Sequence, residues 1–457
     1  MIPMSLVDIA GAVGADADLD GVVTGEVRVD SRLVGPGDLF VALRGELRDG
    51  HDFAQAAVDA GAIGVLAERR TTARDIVVPD SLVALQSLAR QVFSVDQPLT
   101  FGLTGSSGKT STKDLLAQLL SAFGPTLAPL NSFNNEVGLP LTATQRRSDT
   151  AYAALEYSAR GIGHISFLCG IARPHIAVVL NVGSAHLGEF GTVENIAAAK
   201  GELVEAATSL VVLNADDALV SGMAARTTHP VVTFGRSSAA DYRAADVAVD
   251  ADGRSSFRLE TPHGRAEVHL QVRGEHQSWN AVAVAAAVMA AGVTSDVNLV
   301  AGQLSRARAV SRWRMEVTDR ADGVTVINDA YNANPDSMLA ALRTLQVMSR
   351  GGERRTWAVL GEMAELGLAA ASAHEEVGRA ASRLAVSRLV VIGSAAAGIH
   401  AGAVAEGSRD AALLADAEAA LALLRSELAP GDVVLVKASR SVGLEKLGAA
   451  LLEGVAR

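Results

Sequence analysis

Three observations in this 457-residue sequence predict an α/β protein of three domains. A short apolar strand at 99–103 runs directly into a glycine loop and then a helix. Four apolar strands alternate with helices over the last third of the chain. Both follow a stretch of short units broken by Gly, Asp and Pro. We read a small α/β N-terminal domain (1–83), a central domain with a P-loop and a parallel sheet (84–313), and a Rossmann-like C-terminal domain (314–457). The length suits two to four domains at about 100–200 residues each. Aromatic residues make up only 4% of the chain, so alanine, valine and leucine must fill the cores, as helices packed on parallel sheets allow.

In the first region the units are 27–32, the turn Gly35-Pro36-Gly37-Asp38 and 39–43. The polar turn Arg48-Asp49-Gly50-His51 precedes a helix expected over 53–60, which stops at Gly61. A strand at 64–67 follows. The second region opens with a helix at 82–93. Beyond the loop, a helix is expected at 112–123, with apolar positions 115, 116, 119, 120 and 123. Strands are expected at 151–155, 176–181 and 210–213, in a parallel sheet covered on both faces. The alanine- and valine-rich run 281–291 reads as a tightly packed helix. In the third region the strands are 324–327, 357–360, 389–392 and 433–436, with helices around 336–348, 372–384 and 411–427.

The net charge of −11 argues against nucleic acid or an anionic membrane as partner, but not against a nucleotide. Cys169, the single cysteine, sits among apolar residues and reads as a small buried hydrophobe. No signal-peptide pattern and no membrane-length apolar run are visible, so a soluble cytoplasmic protein is expected.

Five segments carry chemistry. The loop Thr104-Gly105-Ser106-Ser107-Gly108-Lys109-Thr110, with Ser111 after it, reads as a phosphate cradle. Its glycines let backbone N–H groups approach phosphate oxygens, Lys109 can reach the outer phosphates, and Thr110 can bind Mg²⁺. Leu103 stands where the eight-residue pattern has its first glycine, so this is a shortened form; the alternative is a structural turn. Glu156, at a strand end, suits either a Mg²⁺ site or a capping role. His186 lies in a loop after a strand, where α/β ligand sites form, yet a lone histidine is often structural. Lys200, by composition, is an ordinary helix-surface lysine. The polar segment Asn328 to Ser337 follows a strand and opens a helix; it has more polar residues than one cap needs, which favours ligand contact.

Taken in order, these segments resemble the Mur ligase family over essentially the whole chain. The strings that carry the resemblance are "DSRLVGPGDLFVALRGELRDGHDF" (30–53), "TGSSGKTSTKD" (104–114), "NSFNNEVGLPLT" (131–142), "ARGIGHI" (159–165), "NVGSAHLGEFG" (181–191), "AKGEL" (199–203), "INDAYNANPDSM" (327–338) and "LGEMAELG" (360–367). The resemblance implies ATP and two Mg²⁺ ions, with Thr110, Glu156, His186 and a carbamylated Lys200 as metal ligands. It implies that Lys109 and Arg314 hold phosphates, Asn280 the base, Asp329 the ribose, and that Asn332 lies near the phosphates. Gln277 stands where the family usually has Asn, and Tyr157-Ser158 where relatives often have Met-Gly. Ser31 and Arg32, with Asp49, Gly50 and His51, correspond to the pocket for a uridine diphosphate end. Asn134, Asn135 and Thr142 correspond to the stretch that meets a muramyl group, and the C-terminal domain around Asn334 and the segment Leu360 to Gly367 is expected to grip the carboxylate of the incoming dipeptide.

The implied activity is ATP-driven amide formation through an acyl phosphate, by a monomer. Within the family the strings fall nearest the branch joining D-alanyl-D-alanine to a UDP-N-acetylmuramoyl-tripeptide. The alternative is the sibling that adds diaminopimelate or lysine, which carries an Asp-Asn-Pro-Arg-like string absent here. Folylpolyglutamate synthase shares the loop but lacks the "DSR…DGH" segment. A non-catalytic nucleotide-dependent scaffold would not need Lys109, Arg314 and the metal ligands together.

Overall fold

Three larger sheets, and a two-stranded pairing of Met4–Ser5 with Val22–Val23, organise the chain in this computed structural model, which describes residues 1–45, 47–183 and 187–453. The first has four short parallel strands in sequence order, Val27–Arg28, Leu39–Val41, Gly64–Ala67 and Asp75–Val77. Helix Ala54–Asp59 follows a 3₁₀ turn and ends at Gly61, whose φ of 112° only glycine adopts readily. Helix Ser81–Ser94 spans the expected 83/84 boundary. Its Ala84, Leu85, Leu88 and Val92 enter the N-terminal core, while Ala89 and Phe93 enter the core under the central sheet.

The central sheet has nine strands. In spatial order they are Gly264–Arg273, Arg254–Thr261, Tyr242–Val249, Val231–Gly235, Leu210–Asn214, Ile176–Val179, Leu99–Thr104, Tyr152–Glu156 and Thr126–Leu127. From Tyr242–Val249 to Thr126–Leu127 every neighbouring pair is parallel. The other edge corrects the all-parallel expectation, because its last three strands form an antiparallel meander. The reason is period two: Ser255, Phe257 and Leu259 point inward, while Arg258 and Glu260 point out. That inner face packs with the Ala/Val helix Gln277–Ala290, which is buried along most of its length.

The C-terminal sheet runs Glu316–Asp319, Thr325–Asn328, Val433–Lys437, Thr356–Leu360, Arg388–Ile392, Ala411–Leu414, parallel except for its first strand. The four expected strands are all present. The segment 411–427, expected to be helical throughout, splits instead into a strand and helix Ala417–Glu427. Asp416 sets the start by accepting from Ala419 N at 2.9 Å, an N-cap that competes with helix upstream. The C-terminal domain docks on the central one. Gly188 N donates to Glu365 O at 3.0 Å, and a Cβ on Gly188 would lie 2.6 Å from Gly367 N. The carboxyl ends of the C-terminal strands thereby cover the glycine loop.

Candidate active site

The loop leaves strand Leu99–Thr104, inside the nine-stranded sheet between Ile176–Val179 and Tyr152–Glu156. Helix Lys109–Leu120 begins three residues earlier than the sequence pattern indicates, because Gly108 adopts φ 80° and ends the loop abruptly. No side chain caps its first turn, so its N–H groups remain available to phosphate. Gly108 is required twice over, since a Cβ there would also lie 2.8 Å from Asn280 Oδ1. Asn181, unassigned from sequence, shapes the loop. Its backbone oxygen accepts from Ser106 N at 3.1 Å and its Oδ1 from Ser107 N at 2.9 Å. The Lys109 ammonium donates to Gly105 O at 2.6 Å. Burial pushes its pKa down to about 8, against the pull of Glu156. Thr104 departs from expectation. It is buried and its hydroxyl donates to Tyr157 O at 2.8 Å, so its side chain does not reach the loop's ligand face.

Beside the loop lies a group of hard oxygen atoms. Thr110 Oγ1 is 2.6 Å from Ser132 Oγ and donates to Glu156 Oε2 at 3.3 Å; Asn134 Nδ2 donates to the same carboxylate oxygen at 3.1 Å. Glu156 is fully buried, and its Oε1 has no hydrogen-bond partner among the described residues. A buried carboxylate oxygen left unpaired is costly, and a divalent cation would satisfy it. The residues present therefore fit Mg²⁺. Among the described residues no cluster of three or more His, Cys, Asp and Glu forms, because this set mixes hydroxyls and lysine with one carboxylate. His186 lies outside the described residues.

Lys200 overturns its compositional reading as a surface lysine: it is only 6% exposed. It has no hydrogen bond or ion pair among the described residues. Burial, and then the Lys109 charge, hold its pKa well below the usual lysine range. It sits in helix Val193–Ala206, next to Gly201, over which the Arg226 guanidinium lies while donating to Ala198 O at 2.8 Å.

Two clefts meet at the loop. One, of about 300 Å³, is lined by Leu180, Phe234, His276, Asn280, Asp329 and Lys437, among others. Apolar side chains with a few amides and one carboxylate suit a nucleoside. Asn280 Nδ2 donates to Gln277 Oε1 at 2.9 Å, so the extra methylene of Gln277 serves to orient Asn280. Asp329 accepts from Met315 N at 2.9 Å and from Lys437 Nζ at 2.7 Å, and Lys437 also donates to Asn332 O at 2.9 Å.

The second cleft, of about 340 Å³, is bounded by the loop, Ser132, Asn134 and Asn135 on one side and by Asn332, Asn334 and Arg440 on the other. Arg314 stands where the two clefts join. Its Nη2 donates to Thr110 Oγ1 and Ser132 Oγ, each at 3.2 Å, and its guanidinium lies 4.1 Å from the Tyr331 ring centroid. Both neighbours, Trp313 and Met315, have positive φ (58° and 49°), a linker conformation that side chains disfavour. Asn334 does two jobs. It caps helix Pro335–Met348 through Ser337 N at 2.9 Å, and its amide donates to Ser106 O at 3.4 Å, fastening the C-terminal domain to the loop.

Other assignments need correction. Thr142 is fully buried and donates to Gly138 O at 3.0 Å, so it braces helix Gly138–Thr144 and does not face the cleft. His51 is buried with both ring nitrogens engaged: Nε2 accepts from Glu68 N at 2.8 Å, which places the proton on Nδ1, 2.6 Å from Asp49 Oδ1. It holds Asp49. Gly50 is glycine because a Cβ would meet Leu43 O at 2.6 Å. The Asp49 carboxyl is held far below the usual range by the His51 N–H and ring and by Arg69. Ser31 opens an exposed 3₁₀ turn in which Arg32 pairs with Asp30 at 2.6 Å. None of Ser31, Arg32, Asp49, Gly50 and His51 lines either cleft. Sequence reasoning passed over Ser158, Arg160, His164, Ser439 and Arg440, which do line the larger one. The string "ARGIGHI" held a signal for two of them.

Family comparisons agree with this geometry. Residues 25–95 match the Mur ligase family catalytic domain, 103–288 the Mur ligase middle domain, and 313–440 the Mur ligase glutamate ligase domain. The chain belongs to the Mur ligase family. Among curated Mur ligases, it is 46% identical to the UDP-N-acetylmuramoyl-tripeptide–D-alanyl-D-alanine ligase of Mycobacterium tuberculosis, over 99% of this chain and 98% of that one. The Escherichia coli protein of the same name is 35% identical, over 96% and 95%. Two solved Mur ligase structures share the fold. MurF from Acinetobacter baumannii superposes with TM-score 0.85 at 30% identity, over 99% of both chains. MurF from Thermotoga maritima in complex with ADP does so with TM-score 0.79 at 31% identity, over 96% and 98%. As a Mur ligase the chain is an ATP-dependent carbon–nitrogen ligase. None of its described helices is long and apolar enough to cross a membrane.

Proposed function

We propose that this enzyme joins D-alanyl-D-alanine to UDP-N-acetylmuramoyl-tripeptide, giving the pentapeptide, ADP and phosphate for peptidoglycan synthesis. The observation that carries the reading is the 340 Å³ cleft, in which the glycine loop of one domain faces the strand ends of another. It lies in a chain matched end to end by ligases of that name.

The chemistry asks the protein chiefly to neutralise and align anions. The tripeptide carboxylate attacks the γ-phosphate, forming an acyl phosphate and releasing ADP. The dipeptide amine then attacks the acyl carbon, loses a proton, and the C–O bond to phosphate breaks. Lys109, Arg314 and the loop N–H groups bind the phosphates and the charge that shifts toward ADP. Asn280 and Asp329 hold the nucleoside, with Lys437 donating to Asp329 and holding it in place. Asn134 and Asn135 meet the muramyl end, while Ser31, Arg32 and Asp49 receive the uridine diphosphate end. On this reading domains 1–83, 84–313 and 314–457 share the labour, with helix Ser81–Ser94 joining the first two cores, and the enzyme works as a cytoplasmic monomer.

Thr110, Glu156, His186 and Lys200 would hold Mg²⁺, which when bound neutralises phosphate charge. Lys200 suits carbamylation, since its buried amine, which has no partner among the described residues, would exchange an unfavourable cation near Lys109 for an anionic oxygen ligand.

The reading is tested with purified enzyme, UDP-N-acetylmuramoyl-tripeptide and ATP, by measuring ADP release on adding D-alanyl-D-alanine, diaminopimelate or lysine. Turnover is expected with the dipeptide alone. Turnover with a single amino acid and none with the dipeptide would place the enzyme in the sibling activity.

A further inference from the structure

The incoming dipeptide carries a carboxylate that takes no part in the reaction. A carboxylate leaving water for a closing cleft needs a cation or several donors. We infer that the Arg440 guanidinium binds this terminal carboxylate and so determines specificity for a free-acid acceptor. The inference rests on the functional reading above.

It follows from an account of the cations at the site. Lys109 and Arg314 contact the loop, its threonine and Ser132, so they belong to the phosphates. Lys437 is neutralised by Asp329 at 2.7 Å and lines the nucleoside cleft. Arg160 lines the larger cleft from the central domain, and its backbone N–H donates to His164 Nδ1. His164 in turn pairs with Glu136, whose backbone oxygen accepts from Gln86 on the helix packed in the N-terminal core. That places Arg160 on the wall toward the UDP-linked substrate. Among the described residues that line the cleft, Arg440 is the cation that the C-terminal domain contributes besides the phosphate-facing Arg314. It lies just beyond Val433–Lys437, a strand inside the six-stranded sheet, where open α/β sheets place their ligand sites.

Its geometry suits a small carboxylate. The guanidinium lies 4.4 Å from the Trp313 ring centroid, and Nη1 is 2.9 Å from Glu445 Oε1. Stacking fixes the plane and Glu445 occupies one nitrogen. Half of the side chain remains exposed, leaving donors of the planar fork for a two-point contact. Ser439 and Ser441 line the same wall and add hydroxyls.

The test compares D-alanyl-D-alanine with its C-terminal amide as acceptors, for wild type, Arg440→Ala and Arg440→Lys, with the KM for ATP measured alongside. Wild type is expected to prefer the free acid by roughly 30-fold or more in kcat/KM, the loss of a charge-assisted bidentate contact. Arg440→Ala should raise the KM for the dipeptide by a similar factor, leave the KM for ATP and for the UDP-tripeptide near wild type, and remove the preference for acid over amide. Arg440→Lys should keep part of that preference. Unchanged discrimination in Arg440→Ala would overturn the assignment, as would a wild type indifferent to amidation. A wild type inert toward the dipeptide but active with a single amino acid would instead remove the functional reading on which it rests.

Discussion

Lys109→Met lowers turnover about a thousandfold, the scale seen when a charge aimed at a developing anion is removed. Methionine keeps the unbranched length and loses only the cation. In the protein without nucleotide this cation is unfavourable, because burial has already pushed it toward neutrality and Gly105 O is its hydrogen-bond acceptor. Removing a poorly compensated buried charge should leave thermal stability equal or raised. The expected pair of results is therefore a large loss of kcat in steady-state assays and a melting temperature that does not fall. A variant that lost activity by unfolding would lose both together.

The second large effect is at Lys200. Lys200→Ala should lose two to three orders of magnitude in activity, roughly the cost of removing one group that stabilises transferring charge. If the working group is a carbamate, the alanine variant leaves a space that a small anion can fill. Formate, acetate or propionate should then restore a measurable part of the rate in a saturable manner, and intact-protein mass or ¹³C-bicarbonate NMR of wild type should show one added CO₂. Full activity in the variant would remove the role, and loss without rescue would argue for the amine itself. The surroundings favour an uncharged starting amine: Lys200 is 6% exposed, and the nearby Lys109 charge disfavours protonation.

Local features were the legible ones. The strand, loop and helix around residues 99–120 follow from an apolar run, two glycines and a helical period, all readable within about 20 residues. The C-terminal alternation was read for the same reason, with strand positions correct to within a residue. What escaped depended on contacts distant in sequence. The burial of Lys200 is set by packing against the sheet, and no local pattern separates it from an exposed lysine. Asn181 shapes the loop 74 positions away, through the adjacency of two parallel strands. His51 and Thr142 look alike as polar residues in ligand-bearing strings, yet each is spent on internal hydrogen bonds. The antiparallel edge was missed although Phe257, Leu259, Val268 and Leu270 alternate visibly about the Pro262-His263-Gly264 turn; the helix-rich surroundings drew the parallel reading over it.

The acyl phosphate is the step that separates carboxylate activation from simple ATP hydrolysis at this loop, and oxygen isotopes follow it directly. UDP-N-acetylmuramoyl-tripeptide labelled with ¹⁸O in its terminal carboxylate would be turned over with ATP and D-alanyl-D-alanine in unlabelled water. The released phosphate should carry one ¹⁸O, because the carboxylate oxygen that attacked the γ-phosphate leaves with it when the amine displaces phosphate. Unlabelled phosphate accompanied by pentapeptide formation would contradict this account.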